Sequence, residues 1–164
     1  MTTRTFAPWV EQPAAALRES RSEIVRTARK LLPEHWSMPS PLDGWTYKDL
    51  LAHLATGDWV IQTVLEAVTA SRPIDLALVN LDFVNAGNAQ RLAERTDRTP
   101  EELIAEVAAQ GETTQELLAQ LSDVHEGLTQ EGAPMSLGDA LRAFPGHDRD
   151  HLAQLSTALD NVML

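Results

Sequence analysis

The sequence predicts an all-α protein, a bundle of helices, on three observations. Apolar residues recur at intervals of three and four in five successive stretches, the spacing of one helical face. Two of those stretches open on helix-start signals, at Thr46 and at Thr99-Pro100. No strand-like segment is longer than the stretch from Ile74 to Leu78, so nothing supplies a sheet for the helices to pack against.

The first helix is predicted from about Val10 to Leu32, with Val10, Ala14, Leu17, Ile24, Ala28 and Leu31 on one face and Pro33 closing it. Arg21 falls in the same register and reads as a long side chain snorkelling to the rim. Glu34 to Asp43 reads as a loop, and His35 within it has no partner at ligand spacing. Thr46 caps the second helix, with Asp49 completing a weaker capping box. That helix is predicted to run unbroken through Leu50, Leu54, Ile61, Leu65 and Val68 to about Ala70. His53 lies on the shoulder of its apolar stripe. Gly57, one turn beyond, either leaves room beside the imidazole or admits a neighbouring helix. Asp58 lies about 140° around the helix from His53 and is a poor co-ligand. Trp59 reads as core or interface filler.

Pro73 to Leu78 reads as a connection, followed by a third helix over roughly 79–95. Asn85 and Asn88 lie near its apolar face. Asparagine is a poor mid-helix residue, so the pair points to a polar-lined cavity or to a half-exposed face. Thr99-Pro100-Glu101-Glu102 starts the fourth helix, predicted to reach about Ser122, and His125 follows in a polar loop. Ser136-Leu137-Gly138-Asp139 begins the last helix, which Pro145-Gly146 should kink or restart.

Residues 1–164 suit a single domain with a sizeable core. The 24 acidic and 13 basic residues give a net charge of −11, a field that repels phosphate backbones and argues against a nucleic-acid partner. There is no cysteine, which excludes disulfides, thiolate metal ligands and a cysteine nucleophile; thiol chemistry would need an external thiol. The sequence shows neither a signal peptide nor a membrane span, and the expected location is the cytoplasm.

The chemistry-bearing stretch is Phe144 to Leu155. His147 and His151, four residues apart, put their Cβ atoms about 5–6 Å apart on one helical face. That spacing can grip one metal ion, or the two imidazoles are core-edge residues with ordinary hydrogen bonds; spacing leaves both open. His147-Asp148-x-x-His151 departs from the zinc-protease HExxH by a shorter carboxylate, and the chain has no paired Glu-x-x-His of a di-iron bundle. A remaining arrangement takes His147, His151 and a third ligand from a neighbouring helix, for which His53 is the natural candidate. Asp148 and Asp150 either orient an imidazole from behind or are solvated charges.

Trp45-Thr46-Tyr47-Lys48-Asp49-Leu50-Leu51-Ala52-His53-Leu54-Ala55 and His147-Asp148-Arg149-Asp150-His151-Leu152 resemble the two signature segments of the DinB-like superfamily. Asp82-Phe83-Val84-Asn85-Ala86, followed by Arg91 to Glu102, resembles the N-terminal domain of mycothiol-dependent maleylpyruvate isomerases. The resemblance covers nearly the whole chain in order. It implies an up-down-down-up four-helix bundle with a short extra helix or a kinked last helix. It also implies a metal triad of His53, His147 and His151 holding zinc or nickel, and a homodimer. Family members include S-transferases and isomerases using small thiols, and a hydrolase. The isomerase's own triad includes a Glu where this chain has His147. The resulting expectation is a divalent-metal-dependent enzyme transferring a small thiol to an electrophilic small molecule. The alternatives are metal-assisted hydrolysis and a non-enzymatic dimeric binding protein.

Overall fold

Helix starts are set by residues that need no intrahelical partner. The computed structural model describes residues 4–160. Helix α1 spans Pro8–Ala28 and begins earlier than the apolar pattern predicts, because Pro8 at the first turn forfeits no helical hydrogen bond. It also ends earlier, and Pro33–Ser37 forms a 3-10 turn where a loop was expected. His35 is buried in that turn, and its Nδ1 accepts from the Leu32 backbone N–H at 2.8 Å. It is a structural histidine.

Helix α2 spans Tyr47–Thr56 and α3 spans Trp59–Thr69. The Thr46–Asp49 capping box forms as predicted, with the Asp49 N–H donating to Thr46 Oγ1 and the Thr46 N–H donating to Asp49 Oδ2. The single long helix predicted from Thr46 to Ala70 does not form. It breaks at Gly57-Asp58, yet Leu50, Leu54, Ile61, Leu65 and Val68 all stay buried. Helix α4 spans Leu81–Ala93, after a 3-10 turn at Leu76–Val79, with Asn80 as its cap. Helix α5 spans Pro100–Leu118 behind the predicted Thr99–Glu102 box. Helix α6 spans Leu137–Asp160 and runs through Pro145 without a restart. Among the described residues there is no strand, only an isolated bridge between Pro39 and Thr46.

Helix α1 packs against α5 and α6; α2 packs against α4, α5 and α6; α3 packs against α5. The core falls into two apolar clusters. One gathers Ile24, Leu50, Leu54, Leu103, Val107, Leu155 and Ala158. The other gathers Val10, Leu17, Ile61, Leu65, Leu118, Leu137 and Leu141. Along the chain, each packed segment places a buried polar residue between its contributions to the two clusters: Ser20 and Arg21 on α1, Asp58 at the α2–α3 break, Thr114 and Gln115 on α5, and Asp148 on α6. A polar belt thus crosses the middle of the bundle.

Candidate metal centre

The belt explains the break between α2 and α3. Asp58 turns inward, where its Oδ1 accepts from Arg21 Nη2 and its Oδ2 accepts from Thr114 Oγ1 at 2.6 Å. Arg21 Nη1 donates to the Leu54 carbonyl at 2.6 Å, and Nη2 also donates to Asp148 Oδ1 at 2.9 Å. Nε of Arg21 lies 2.9 Å from Asp148 Oδ2 but is not aligned for a hydrogen bond, so that contact is ionic only. Ser20 Oγ completes Asp148 at 3.0 Å. The guanidinium fork therefore ties α1 to α2, to the α2–α3 break and to α6. Arg21 is not a snorkelling rim residue, as its register suggested; its partners lie 37 and 127 residues away along the chain, beyond the reach of periodicity.

One guanidinium against two carboxylates leaves one excess negative charge in the belt when all are ionised. Burial raises the Asp58 pKa, against the lowering pull of Arg21 and Thr114. Burial also works to raise that of Asp148, but His147, Arg21 and Ser20 together prevail and hold it below the usual carboxylate value. Asp148 stays an anion.

His53, His147 and His151 gather beside this belt. His53 sits on α2, buried, three residues before the helix ends. His147 and His151 sit on α6, with 41% of the His147 side chain exposed. Nε2 of His151 lies 3.2 Å from Nε2 of His53 and 3.2 Å from Nε2 of His147. Two imidazole nitrogens bound to a tetrahedral zinc at about 2.0–2.1 Å stand about 3.3 Å apart, which both distances to His151 match, and the ligand atoms of the three histidines all lie within 4.8 Å of one another. Nδ1 of His151 lies 2.7 Å from Gln154 Oε1. An amide oxygen only accepts, so Nδ1 carries the proton and Nε2 keeps its lone pair toward the other two rings. The Trp45 ring flanks His53 at 5.2 Å between centroids, and Phe144 stacks on His147 at 6.1 Å.

Burial, then the neighbouring His151 and His147, push the His53 pKa down to about 3. Burial also lowers that of His151, partly offset by Gln154. Both are neutral at pH 7, the form in which imidazole binds a metal. The donor set fits a divalent transition ion with positions left open, since three histidines do not close a tetrahedral shell.

A cleft of about 300 Å³ opens from His53 and His147 between α3, α4 and α6. Trp59 forms part of its wall; Nε1 donates to Asn88 Oδ1 at 2.8 Å, and the Arg91 guanidinium lies 4.0 Å over the indole. A Cβ at Gly57 would meet His147 Cε1 at 3.7 Å, ordinary contact, so this glycine keeps space open beside the imidazoles rather than avoiding a clash.

A sequence profile described as the mycothiol maleylpyruvate isomerase N-terminal domain matches residues 17–154. The chain belongs to that family. It is therefore a member of the DinB-like superfamily, as the two signature segments implied. Among solved structures, the chain is similar to a mycothiol-dependent maleylpyruvate isomerase, with a TM-score of 0.71, 16% identity, and 89% of this chain against 60% of that one covered. It is similar to a histidine-to-alanine mutant of the same kind of enzyme, with a TM-score of 0.70, 15% identity and the same coverage. The chain thus spans about 60% of the length of these enzymes, and at such identities the likeness shows the fold. Comparison with curated protein sequences gives no match.

The span matched by the isomerase N-terminal domain family contains every residue of the belt and of the histidine cluster. Of the residues singled out from sequence, His53, His147 and His151 come together, and Asn88 lines the cleft. Asn85 is exposed on α4 and lies outside the cleft lining; Asp150 is exposed as well. Asp148 faces Arg21 and Ser20, with its Oδ1 3.8 Å from His147 Nδ1. Sequence reasoning missed Arg21, Asp58 and Gln154. Only Gln154 left a local signal, its position three residues after His151.

Proposed function

We propose that this protein is a divalent-metal-dependent enzyme that joins a low-molecular-weight thiol to an electrophilic small molecule. The observation that carries the reading is the convergence of three Nε2 atoms at the mouth of a cleft. It is supported by membership of a family described by a mycothiol-dependent enzyme, and by the lack of any cysteine to serve as nucleophile. His53, His147 and His151 would hold zinc or nickel, with Asp148 and Gln154 behind His147 and His151. A divalent ion supplies Lewis acidity, lowering the pKa of a bound thiol or water toward neutrality.

In the transfer, the thiol sulfur forms a C–S bond and loses its proton. The bond to the leaving group breaks, and that group departs with the electron pair. No carboxylate in the belt serves as the base: Asp58 and Asp148 are locked to Arg21, so the proton leaves to solvent past the exposed edge of His147. Trp59, Val60 and Phe144 wall the cleft and exclude water from the electrophile. Asn88, fixed through its Oδ1, has its amide N–H groups left to orient substrate. We place this activity in a cytoplasmic homodimer of up-down-down-up bundles comprising residues 1–164. Exposed Leu81 and Phe83 offer a second copy an apolar surface, and among the described residues no helix is long and apolar enough to cross a membrane.

The test begins with elemental analysis of untagged protein beside His151→Ala. About one equivalent of transition metal per chain, lost in the variant, is expected. Conjugate formation with mycothiol and other small thiols follows, using an alkyl halide or epoxide. Turnover without thiol would replace transfer by hydrolysis. Absence of metal, with no uptake of added zinc or nickel, would remove the enzyme reading.

A further inference from the structure

A second cavity, of about 230 Å³, adjoins the histidine cleft between α3, the Leu76–Val79 turn and the start of α6, and opens to the surface where Val79, Leu128 and Met135 are exposed. The two share Val60, Leu78, Val79 and Phe144 in their linings, so they are neighbours. Among the described residues no charged side chain lines either space, although the chain as a whole carries 24 acidic and 13 basic residues. The polar side chains that border the second cavity are already engaged. Gln130 donates from Nε2 to the Ile74 carbonyl and accepts at Oε1 from the Ile74 N–H, both at 2.7 Å. Ser136 Oγ donates to Asp139 Oδ2 and accepts from the Asp139 N–H. In the histidine cleft, Trp59 Nε1 is held by Asn88.

A charged or hydroxyl group at the far end of that space, away from the histidines, would lose its hydration with no cation or free polar side chain to replace it. An alkyl or aryl chain would lose nothing and bury surface. We infer that the electrophile taken by this site carries an uncharged apolar chain that runs from the histidines past Phe144 into the second cavity. This rests on the metal-dependent reading and narrows its substrate to a class. The second cavity, at about 230 Å³, holds about eight groups of water size, at roughly 30 Å³ each. A medium-length chain fills it.

The test titrates metal-loaded protein with n-alkanols of two to ten carbons, and with α,ω-alkanediols of the same lengths, reading tryptophan fluorescence and calorimetry. Alkanol affinity is expected to rise about fourfold per methylene and then level off, with diols at least tenfold weaker at each length. Ala140→Phe, which fills part of the second cavity away from the histidines, should move the plateau to shorter chains and leave metal content unchanged. Diols binding as well as alkanols, a flat length series, or a plateau that Ala140→Phe does not move would each overturn the inference. Metal content of the same samples separates the two readings. Metal present with a flat series removes the substrate class alone, whereas a length series in protein that takes up no metal removes the metal centre and the cavity's part in it. A dimer that Ala140→Phe dissociates without moving the plateau would assign the cavity to a second copy, which also overturns it.

Discussion

Helices α2 and α4 both wall the site, and they are held in opposite ways. Eight of the ten residues of α2 are buried, and its last turn is gripped through the Leu54 carbonyl by Arg21. Helix α4 has no buried residue at all; Leu81 and Phe83 face outward, and Trp59 and Arg91 do much of the fastening near the site. The difference divides the labour. On the proposed metal reading, ligands must stay within tenths of an ångström, and His53 sits on the element the core fixes. A cleft wall that meets varied substrates gains from an element that can move at little cost.

The contrast breaks most severely if the belt is cut. Arg21→Met would leave two buried carboxylates facing each other without a cation, and stability should fall by about 3–5 kcal/mol in urea unfolding. Arg21→Lys should not restore it, because one ammonium cannot reach Leu54, Asp58 and Asp148 at once. A loss below about 1 kcal/mol would mean that the belt does not fix α2.

Acid probes the same fixed half more gently. The folded His53 pKa of about 3 lies below its ordinary 6.5, so between those values the unfolded chain binds the extra proton. Metal-free protein should therefore be most stable above pH 6.5 and weaken as pH falls toward 3, by up to about 1.4 kcal/mol per pH unit from this group. His53→Gln should flatten that slope.

On the loose side, Gly87→Ala places a Cβ 2.8 Å from Trp59 Cζ2. Overpacking of about 1–3 kcal/mol is offset by about 1 kcal/mol of helix propensity, leaving a net loss of about 1 kcal/mol. Trp59 fluorescence should shift while metal content holds; a lost metal would show that α4 is coupled to the ligands after all. The smallest effect is expected at Asp150→Asn, an exposed position, within about 0.5 kcal/mol and with metal content unchanged.

How much of this was legible in the sequence follows the range of each interaction. The Thr46–Asp49 and Thr99–Glu102 boxes act over three residues and were readable. The break at Gly57-Asp58 was not, because Leu50, Leu54, Ile61 and Leu65 keep helical step across it; the cause is Arg21, far off in the chain. Pro145 misled in the other direction. Its missing N–H and ring predict an interruption, but Leu137 and Leu141 below it and Leu155 and Ala158 above it pack into the two core clusters and hold α6 continuous. The His147–His151 spacing showed two of the three histidines in the cluster. Geometry brings in His53, which its place beside the apolar stripe of a neighbouring helix and the family resemblance had both offered as the third ligand.

The distance along the chain between His53 and His151, 98 residues, has a consequence for biosynthesis. Until α6 has emerged from the ribosome and docked on α1, the last two nitrogens have nowhere to stand. On the proposed metal reading, the three-nitrogen site is complete only once the bundle has closed, so loading of that site follows closure. Metal occupancy would then report that a newly made molecule has finished folding.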